Sequence, residues 1–453
     1  MRRLDQDMLH GPLLGNIIAY TVPIILTSLL QLLFNAADLV VVGRFCGSLS
    51  VGAIGATGAL TNLIVNLFIG MSVGAGVAVA HARGGREDEA VHRTVHTALP
   101  VALLGGVILT IVGVTCSEML LRMMDTPENI LPLSATYMRI YFGGITFMMV
   151  YNFCASILRA VGDTKSPLIF LTIAGVINVV LNVFFVTVLH MNVAGVALAT
   201  TISQGFSAVA MVIVLMRRTD ACKLEWRKMR FYKAQLLKIV RIGLPAGLQG
   251  SLFSISNVLI QSSVNSFGDV FMSGNAAAGN LEGFVYVGMN AFHQTAVNFV
   301  GQNVGAHQFK RVKKILSISL ACSAVVGLFM GTAVRLFGPQ LLSIYITDSQ
   351  EAIGYGLIRL TYICQLYFLC GLMDVSTGAL RGMGASLLPM LISVLGVCGF
   401  RVLWIATVFR TYHTPECLYL SYAVSWVITF LAQMIVFWVV YRQNVRRYAY
   451  CEE

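Results

Sequence analysis

The feature that most limits the fold of this chain is a succession of apolar segments, each about 20 residues or longer. They fall at roughly 14–42, 51–80, 94–120, 131–158, 166–190, 193–216, 242–267, 271–304, 313–338, 353–380, 386–409 and 417–441. A segment of this length matches the hydrocarbon thickness of a bilayer. Inside lipid the backbone has no water to bond to, so each segment must be a helix. Composition agrees: 57% of the 453 residues are hydrophobic and 11% are charged, whereas soluble domains carry about 25% charged residues. The first ten residues are polar and lead into a full-length apolar segment followed by more of the same, so no cleavable signal peptide is expected. The expected class is an all-α polytopic membrane protein with about 12 transmembrane helices.

The formal charge of +11 invites a nucleic-acid reading, but its placement argues for topology instead. One side is formed by the N-terminus and every connection after an even-numbered helix. It collects Arg2, Arg3, Arg83, Arg86, Arg93, Arg159, Lys165, the basic block from Arg217 to Arg241, Lys310, Arg311, Lys313, Lys314, Arg381, Arg442, Arg446 and Arg447. These are 24 of the 31 Lys and Arg residues. The other side, helix interiors included, has only Arg44, Arg122, Arg139, Arg335, Arg359, Arg401 and Arg410. By the positive-inside rule both termini are cytoplasmic. The ten cysteines are scattered, without CxxC or Cys/His ligand spacing, and read as small core residues.

The sequence also repeats itself. LRAVGDTKSP (Leu158–Pro167) and LRGMGASLLP (Leu380–Pro389) share the pattern LRxxGxxxxP at an offset of 222 residues. The same offset pairs Pro23 with Pro245, Asn35 with Asn257, Phe45 with Phe267, Gly52 with Gly274 and Gly105 with Gly327. A constant offset over this span indicates duplication. Each copy has six crossings, an even number, so both insert with the same orientation about an axis along the membrane normal. The expected organisation is two pseudo-symmetric six-helix lobes: residues 1–218, a cytoplasmic linker at 219–241, and a second lobe at 242–453. Symmetric halves around a central site are a transporter architecture that works by alternating access.

Polar residues within spans cost energy and need a reason; an ionisable one costs roughly 2.5–3.5 kcal/mol on insertion scales. Helix 1 carries Thr27, Gln31, Asn35 and Asp38 on one face, helix 5 carries Asn178 and Asn182 one turn apart, and helix 7 carries Ser254, Asn257, Gln261 and Asn265. Stripes at equivalent places in both halves suggest a cavity, although interhelical hydrogen bonding accounts equally well for the asparagines. The second half adds Glu282, Asp374 and Arg401 on helices 8, 10 and 11; Glu282 corresponds to Leu60 and Arg401 to Val179. Two readings of these charges stand: an ion pair of Arg401 with one acid, or a cation-substrate or proton site. His293 reads as packing. The glycine-rich run Gly70–Gly76 lacks the Lys-Ser/Thr end of a phosphate loop and lies within a span, where small residues let helices approach.

Several of these elements together resemble the multidrug and toxic compound extrusion (MATE) family over essentially the whole chain. They are Pro23, Gln31 and the run NAADLVVVG from Asn35 to Gly43, NVVLN from Asn178 to Asn182, FVGQNVGA from Phe299 to Ala306, and the paired LRxxGxxxxP elements. The resemblance implies secondary active efflux of organic, often cationic, compounds in exchange for protons or sodium, with no other cofactor. It further implies small organic substrates, the cell inner membrane as the location, and a monomer without a nucleic-acid partner. Helix 1 is similar to the DinF-like branch, whose ion-coupling site maps onto Asp38, Asn178, Asn182 and Thr200. Asn182 departs from the Asp often found there, which leaves proton or sodium as the coupling ion. A looser substrate cavity is expected from Gln31, Asn35, Asn257, Gln261, Glu282, Asp374 and Arg401. The nearest rival is a lipid-linked precursor flippase of the same superfamily, which would need a cationic cavity for pyrophosphate. HExxH does not occur, and the one match to GxSxG, Gly70–Gly74, lies inside an apolar span rather than on a strand-to-helix turn, so a membrane-embedded enzyme is not indicated.

Overall fold

The computed structural model describes residues 5–346 and 349–449; Arg2, Arg3 and Cys451 lie outside the described residues. Every regular element among them is helical. The first repeat comprises α1 (Leu13–Phe45), α2 (Ser48–Gly84), α3 (Asp88–Met123), α4 (Leu131–Gly143), α5 (Ile145–Ala160), α6 (Lys165–Thr187) and α7 (Asn192–Met216). The second comprises α8 (Lys233–Asn265), α9 (Asp269–Gly305), α10 (Phe309–Leu336), α11 (Gly338–Tyr345), α12 (Gln350–Arg359), α13 (Tyr367–Gly382), α14 (Leu387–Ser393), α15 (Phe400–Trp404) and α16 (Pro415–Ala449). Short π-helical stretches, Leu360–Cys364, Val394–Gly399 and Ile405–Phe409, join α12 to α13 and flank α15.

Nine of these runs among the described residues are long and apolar enough to cross a membrane. The pair α4 and α5, bent by 46° at Gly144, makes a tenth if counted as one span. Helices α8 and α9, of 33 and 37 residues, are as long as the others. They fall short in apolarity because α8 bears the Ser254, Asn257, Gln261, Asn265 face and α9 is rich in Asn and Gln. Counting both gives six crossings per repeat.

The repeated LRxxGxxxxP element has a physical explanation. Gly162 and Gly384 adopt left-handed conformations, with φ of 102° and 85°. Each ends a helix in the same way: Asp163 N–H bonds Leu158 O at 2.9 Å, and Ala385 N–H bonds Leu380 O at 3.0 Å. This six-to-one bond past a left-handed glycine is a Schellman stop. Pro167 and Pro389 then sit in the first turn of the next helix, where a missing N–H costs nothing. The motif is a stop-and-restart signal between two crossings.

The chain packs as two compact units. The first holds the residues up to Asp7 together with Leu26–Ser251; the second holds Met8–Ile25 and everything from Leu252 onward. Both α1 and α8 therefore change unit part-way along their length. In the first unit, α2 and the leading half of α8 cross with their backbones in contact. A Cβ added to Gly70 would lie 2.1 Å from the Gly247 nitrogen, and one on Gly74 would lie 2.2 Å from the Ile239 oxygen. Gly243 and Gly247 meet α2 with equal closeness. The small residues of the Gly70–Gly76 run permit this approach, as read from the sequence.

The segment between the repeats is not a loose tether. Arg218 pairs with Asp5 at 2.6 Å and with Asp220 at 2.7 Å. Glu225 N–H bonds His96 Nε2 at 3.0 Å, and Tyr232 N–H bonds Thr97 Oγ1 at 3.2 Å. Cys222 and Leu224 are buried against the first unit. A thiol reagent would find Cys222 shielded whichever side of the membrane it approached from.

Candidate functional site

Each unit holds a polar cluster where a membrane protein would ordinarily be apolar. In the first unit the cluster is built on three helices. Asp38 comes from α1, Asn178 and Asn182 from α6, and Thr200 from α7. The four-residue spacing on α6 stacks the two amides on one face. Asn182 Nδ2 donates to Asp38 Oδ1 and, at 3.2 Å, to Asn178 Oδ1. Asn178 Nδ2 donates to Thr200 Oγ1 at 3.3 Å, and the Thr200 hydroxyl also bonds the Asp38 carboxylate. Asn178 and Asn182 are buried. Asn182 Oδ1 has no hydrogen-bond partner among the described residues.

A cavity of about 50 Å³ opens onto this cluster, lined by Gln31, Asn35, Asp38, Asn178 and Thr200 among others. Its floor is shaped by Gly175: the Phe34 ring lies where a Cβ would be, 1.8 Å from that position. Helices α1 and α6 can therefore close around Asp38. At this volume the cavity is well below the roughly 300–1,000 Å³ of pockets for drug-sized compounds and is on the scale of an ion or a few waters. Ser203, Gln204 and Ser207 on α7 also line it. Sequence reasoning missed them, although with Thr200 they follow helical spacing on one face.

The second unit holds a larger cavity of about 290 Å³. Asn257, Glu282, Asp374 and Arg401 all line it, as does an aromatic wall of Tyr286, Tyr367, Tyr422 and Trp426. Gln261 does not; it donates to Asn265 Oδ1 at 2.9 Å on an exposed part of α8. The expected pairing of Arg401 with Glu282 or Asp374 is corrected here. Glu282 on α9 is held by Arg359 of α12, at 2.6 and 3.0 Å. Arg359 also reaches Asn275 Oδ1 at 2.6 Å, which accepts from the Tyr419 hydroxyl at 2.8 Å. Helix α12 packs directly along α9, which brings Arg359 to Glu282 first.

Arg401 instead donates from Nε to Ser425 Oγ at 3.1 Å, and its guanidinium carbon lies 3.9 Å from the Tyr422 ring centre and 5.7 Å from that of Trp426. No carboxylate lies within ion-pair distance of it among the described residues. Asp374 faces the Tyr286 hydroxyl and the Arg381 charge, and its Oδ2 has no hydrogen-bond partner among the described residues. His293 is buried, with Nδ1 2.6 Å from the Asp374 backbone oxygen and Nε2 3.5 Å from Arg381. It is a connected interior residue that joins α9 to α13.

Comparison with known proteins decides the family. The MatE family model matches residues 23–184 and again 245–406, two stretches that begin 222 residues apart and end 222 apart. The chain belongs to the MatE family. The double match is the duplication read from the paired motifs. Among MatE relatives, the probable multidrug resistance protein YpnP of Bacillus subtilis (strain 168) is 28% identical over 390 residues, 86% of this chain and 87% of its own. The probable multidrug resistance protein YoeA of the same organism is 27% identical over 84% of each chain. A solved outward-facing conformation of a multidrug resistance MATE family transporter of the MOP superfamily superposes with a TM-score of 0.89. It is 20% identical and covers 97% of this chain and 98% of its own. Membership makes this chain a multi-pass membrane transporter with the two-lobe, six-plus-six helix arrangement. MatE members are transporters rather than enzymes.

Proposed function

We propose that this MatE transporter is a secondary active antiporter of the cell inner membrane. It expels organic cations in exchange for protons or sodium by alternating access, both termini lying in the cytoplasm. The observation that carries this reading is the setting of Asp38. Its carboxylate lies among two amides and a hydroxyl and meets no basic side chain among the described residues. A lone carboxylate at bilayer depth is costly as a bare charge, so it is occupied by a proton or by a bound cation. The unpartnered Asn182 Oδ1 and the Thr200 hydroxyl supply neutral oxygens beside it. The cavity of about 50 Å³ is of ionic size. Asp38, Asn178, Asn182 and Thr200 therefore form the coupling site, and a competing cation discharges the ion.

The names of YpnP and YoeA, both probable multidrug resistance proteins, support small organic compounds as the cargo. A flippase for a pyrophosphate-linked lipid is less well supported, because the first-unit cavity offers an anion no counter-charge and the second-unit cavity sets a single guanidinium, Arg401, beside the two acids Glu282 and Asp374. The experiment is ethidium transport in proteoliposomes. A proton or sodium gradient should drive ethidium uphill, and collapsing that gradient with an ionophore should stop it. Ethidium flux that ignores both gradients would refute antiport.

A further inference from the structure

The second unit has a further cavity, apart from the polar one around Arg401. The first half of α1 and helix α10 both pack on α9, and between them lies a groove of about 370 Å³. Ile18 and Val22 line one wall, Cys322 and Val325 the other, and the buried Phe292 of α9 also lines it. Of the lining residues only Thr21 bears a hydroxyl, and that group is engaged elsewhere. It donates to Ile17 O at 2.6 Å and lies 2.8 Å from Thr295 Oγ1. A resident water needs roughly two to four polar partners, and this wall offers only the weakly polar Cys322 thiol, so the groove suits an apolar occupant. Ile18, Val22 and Val325 are exposed, so the groove opens sideways. At that depth in a span, what lies beside it is acyl chain.

The charge aligned with this groove sets it apart from the rest of the apolar surface. Lys310, Lys314, Ile318, Cys322 and Val325 follow at spacings of four, four, four and three residues, which puts them on one stripe of α10. Lys310 and Lys314 are exposed, and α10 carries no acid to offset them. Lys313 is turned elsewhere, 5.4 and 4.8 Å from the ring centres of Trp438 and Tyr441. Arg311 ties the two walls together at the basic end by donating to His10 O and Gly11 O, at 3.1 and 3.2 Å. With a rise of about 1.5 Å per residue, Cys322 lies about 12 Å beyond Lys314 along the helix and Val325 about 16 Å. That is about half of a hydrocarbon core ~30 Å thick, the depth of one acyl chain whose headgroup sits at the lysines.

We propose that α1, α9 and α10 form a binding site for one anionic phospholipid of the leaflet on the basic side, cytoplasmic in the orientation proposed above. Lys310 and Lys314 hold its phosphate, and one acyl chain lies in the groove. A lysine ammonium meets phosphate as a point charge, and basic residues next to a span attract anionic headgroups. A zwitterionic lipid brings the same chain but adds a cation beside the lysines. The groove therefore sets the place and the lysines set the preference.

The test is native mass spectrometry of the full-length protein, purified in detergent and titrated with phosphatidylglycerol or with phosphatidylcholine carrying the same chains. Wild type should retain one phosphatidylglycerol at a lipid concentration about tenfold below that needed for phosphatidylcholine, a preference that two lysines at a membrane surface can supply. Lys310→Gln with Lys314→Gln should bring the two lipids to parity. Lys223→Gln with Lys233→Gln, which removes equal charge from exposed positions outside α10, should leave the preference intact. A second readout uses wild type alone. Phosphatidylglycerol with a diazirine on its acyl chain should, on illumination, label peptides holding residues 18–25 and 321–326 above the other apolar peptides. Equal retention of the two lipids, a preference that survives the loss of Lys310 and Lys314 or falls equally in the control pair, or label spread evenly over the spans would each overturn the proposal. No gradient and no Asp38 variant enters these measurements, so their failure is distinct from a failure of the antiport reading.

Discussion

Asp38→Asn should reduce gradient-driven ethidium efflux from energised vesicles to the level of vesicles without the transporter, while leaving a folded, membrane-inserted protein. Asparagine has the shape of aspartate and still offers an oxygen to Asn182 Nδ2, so the α1–α6 contact survives. What it removes is the negative charge for which, on the proposed mechanism, proton, sodium and organic cation compete. Asn178, Asn182 and Thr200 cannot replace it, because none changes protonation near neutral pH. A single elution peak at the wild-type volume on gel filtration checks the fold. Full efflux by this variant would remove the coupling role from Asp38 and shift it to Asp374 in the second unit.

The second large effect is on stability. Glu282→Gln would leave the Arg359 guanidinium inside the second unit without its counter-charge. Both side chains are largely buried, at 13% and 14% exposure, and the pair closes at 2.6 Å. Breaking such a pair from one side costs about 3–5 kcal/mol, because the remaining charge is uncompensated. Arg359 would keep Asn275 Oδ1 at 2.6 Å, a neutral acceptor that cannot balance a full charge. Glu282→Gln should therefore fall by many degrees in a thermal-shift assay. The double variant Glu282→Leu with Arg359→Met should recover most of the loss, since matched apolar replacements of buried pairs are often tolerated. A single variant as stable as wild type would show that the pair holds nothing together.

The two units differ in how much of their chemistry the sequence displays. Asp38, Asn178 and Asn182 are legible because a carboxylate in a span is conspicuous and a spacing of four residues sets the amides on one helical face. Thr200 could be placed only through the family resemblance, since a hydroxyl in a span signals little by itself. Its neighbours Ser203, Gln204 and Ser207 carry the same spacing and could have been found by extending the stripe down α7.

In the second unit, Arg359 stands 77 residues from Glu282 and reads as one more charge on the sparse side of the membrane. Only the packing of α12 on α9 makes it a partner. Arg401 reads as a cation in search of an acid, which is sound electrostatics. Its aromatic seat depends on where α16 places Tyr422 and Trp426, and on the π-helical stretches at either end of α15. Helical periodicity at 3.6 residues does not reveal such stretches. The repeat was plain at the level of letters, and the left-handed glycines supply its reason. Which unit receives the first half of α1 was hidden, because a hydrophobic pattern marks a buried face without naming the neighbour that buries it.

The most direct test of the central claim, that one carboxylate exchanges its ion for an organic cation, is to count protons or sodium ions released when ethidium is added to the purified transporter. In weakly buffered solution, wild type should release close to one proton per ethidium bound or, when loaded with radioactive sodium, close to one sodium ion. Asp38→Asn should release neither. Ethidium binding by wild type with no release of either ion, or undiminished release by Asp38→Asn, would contradict the account.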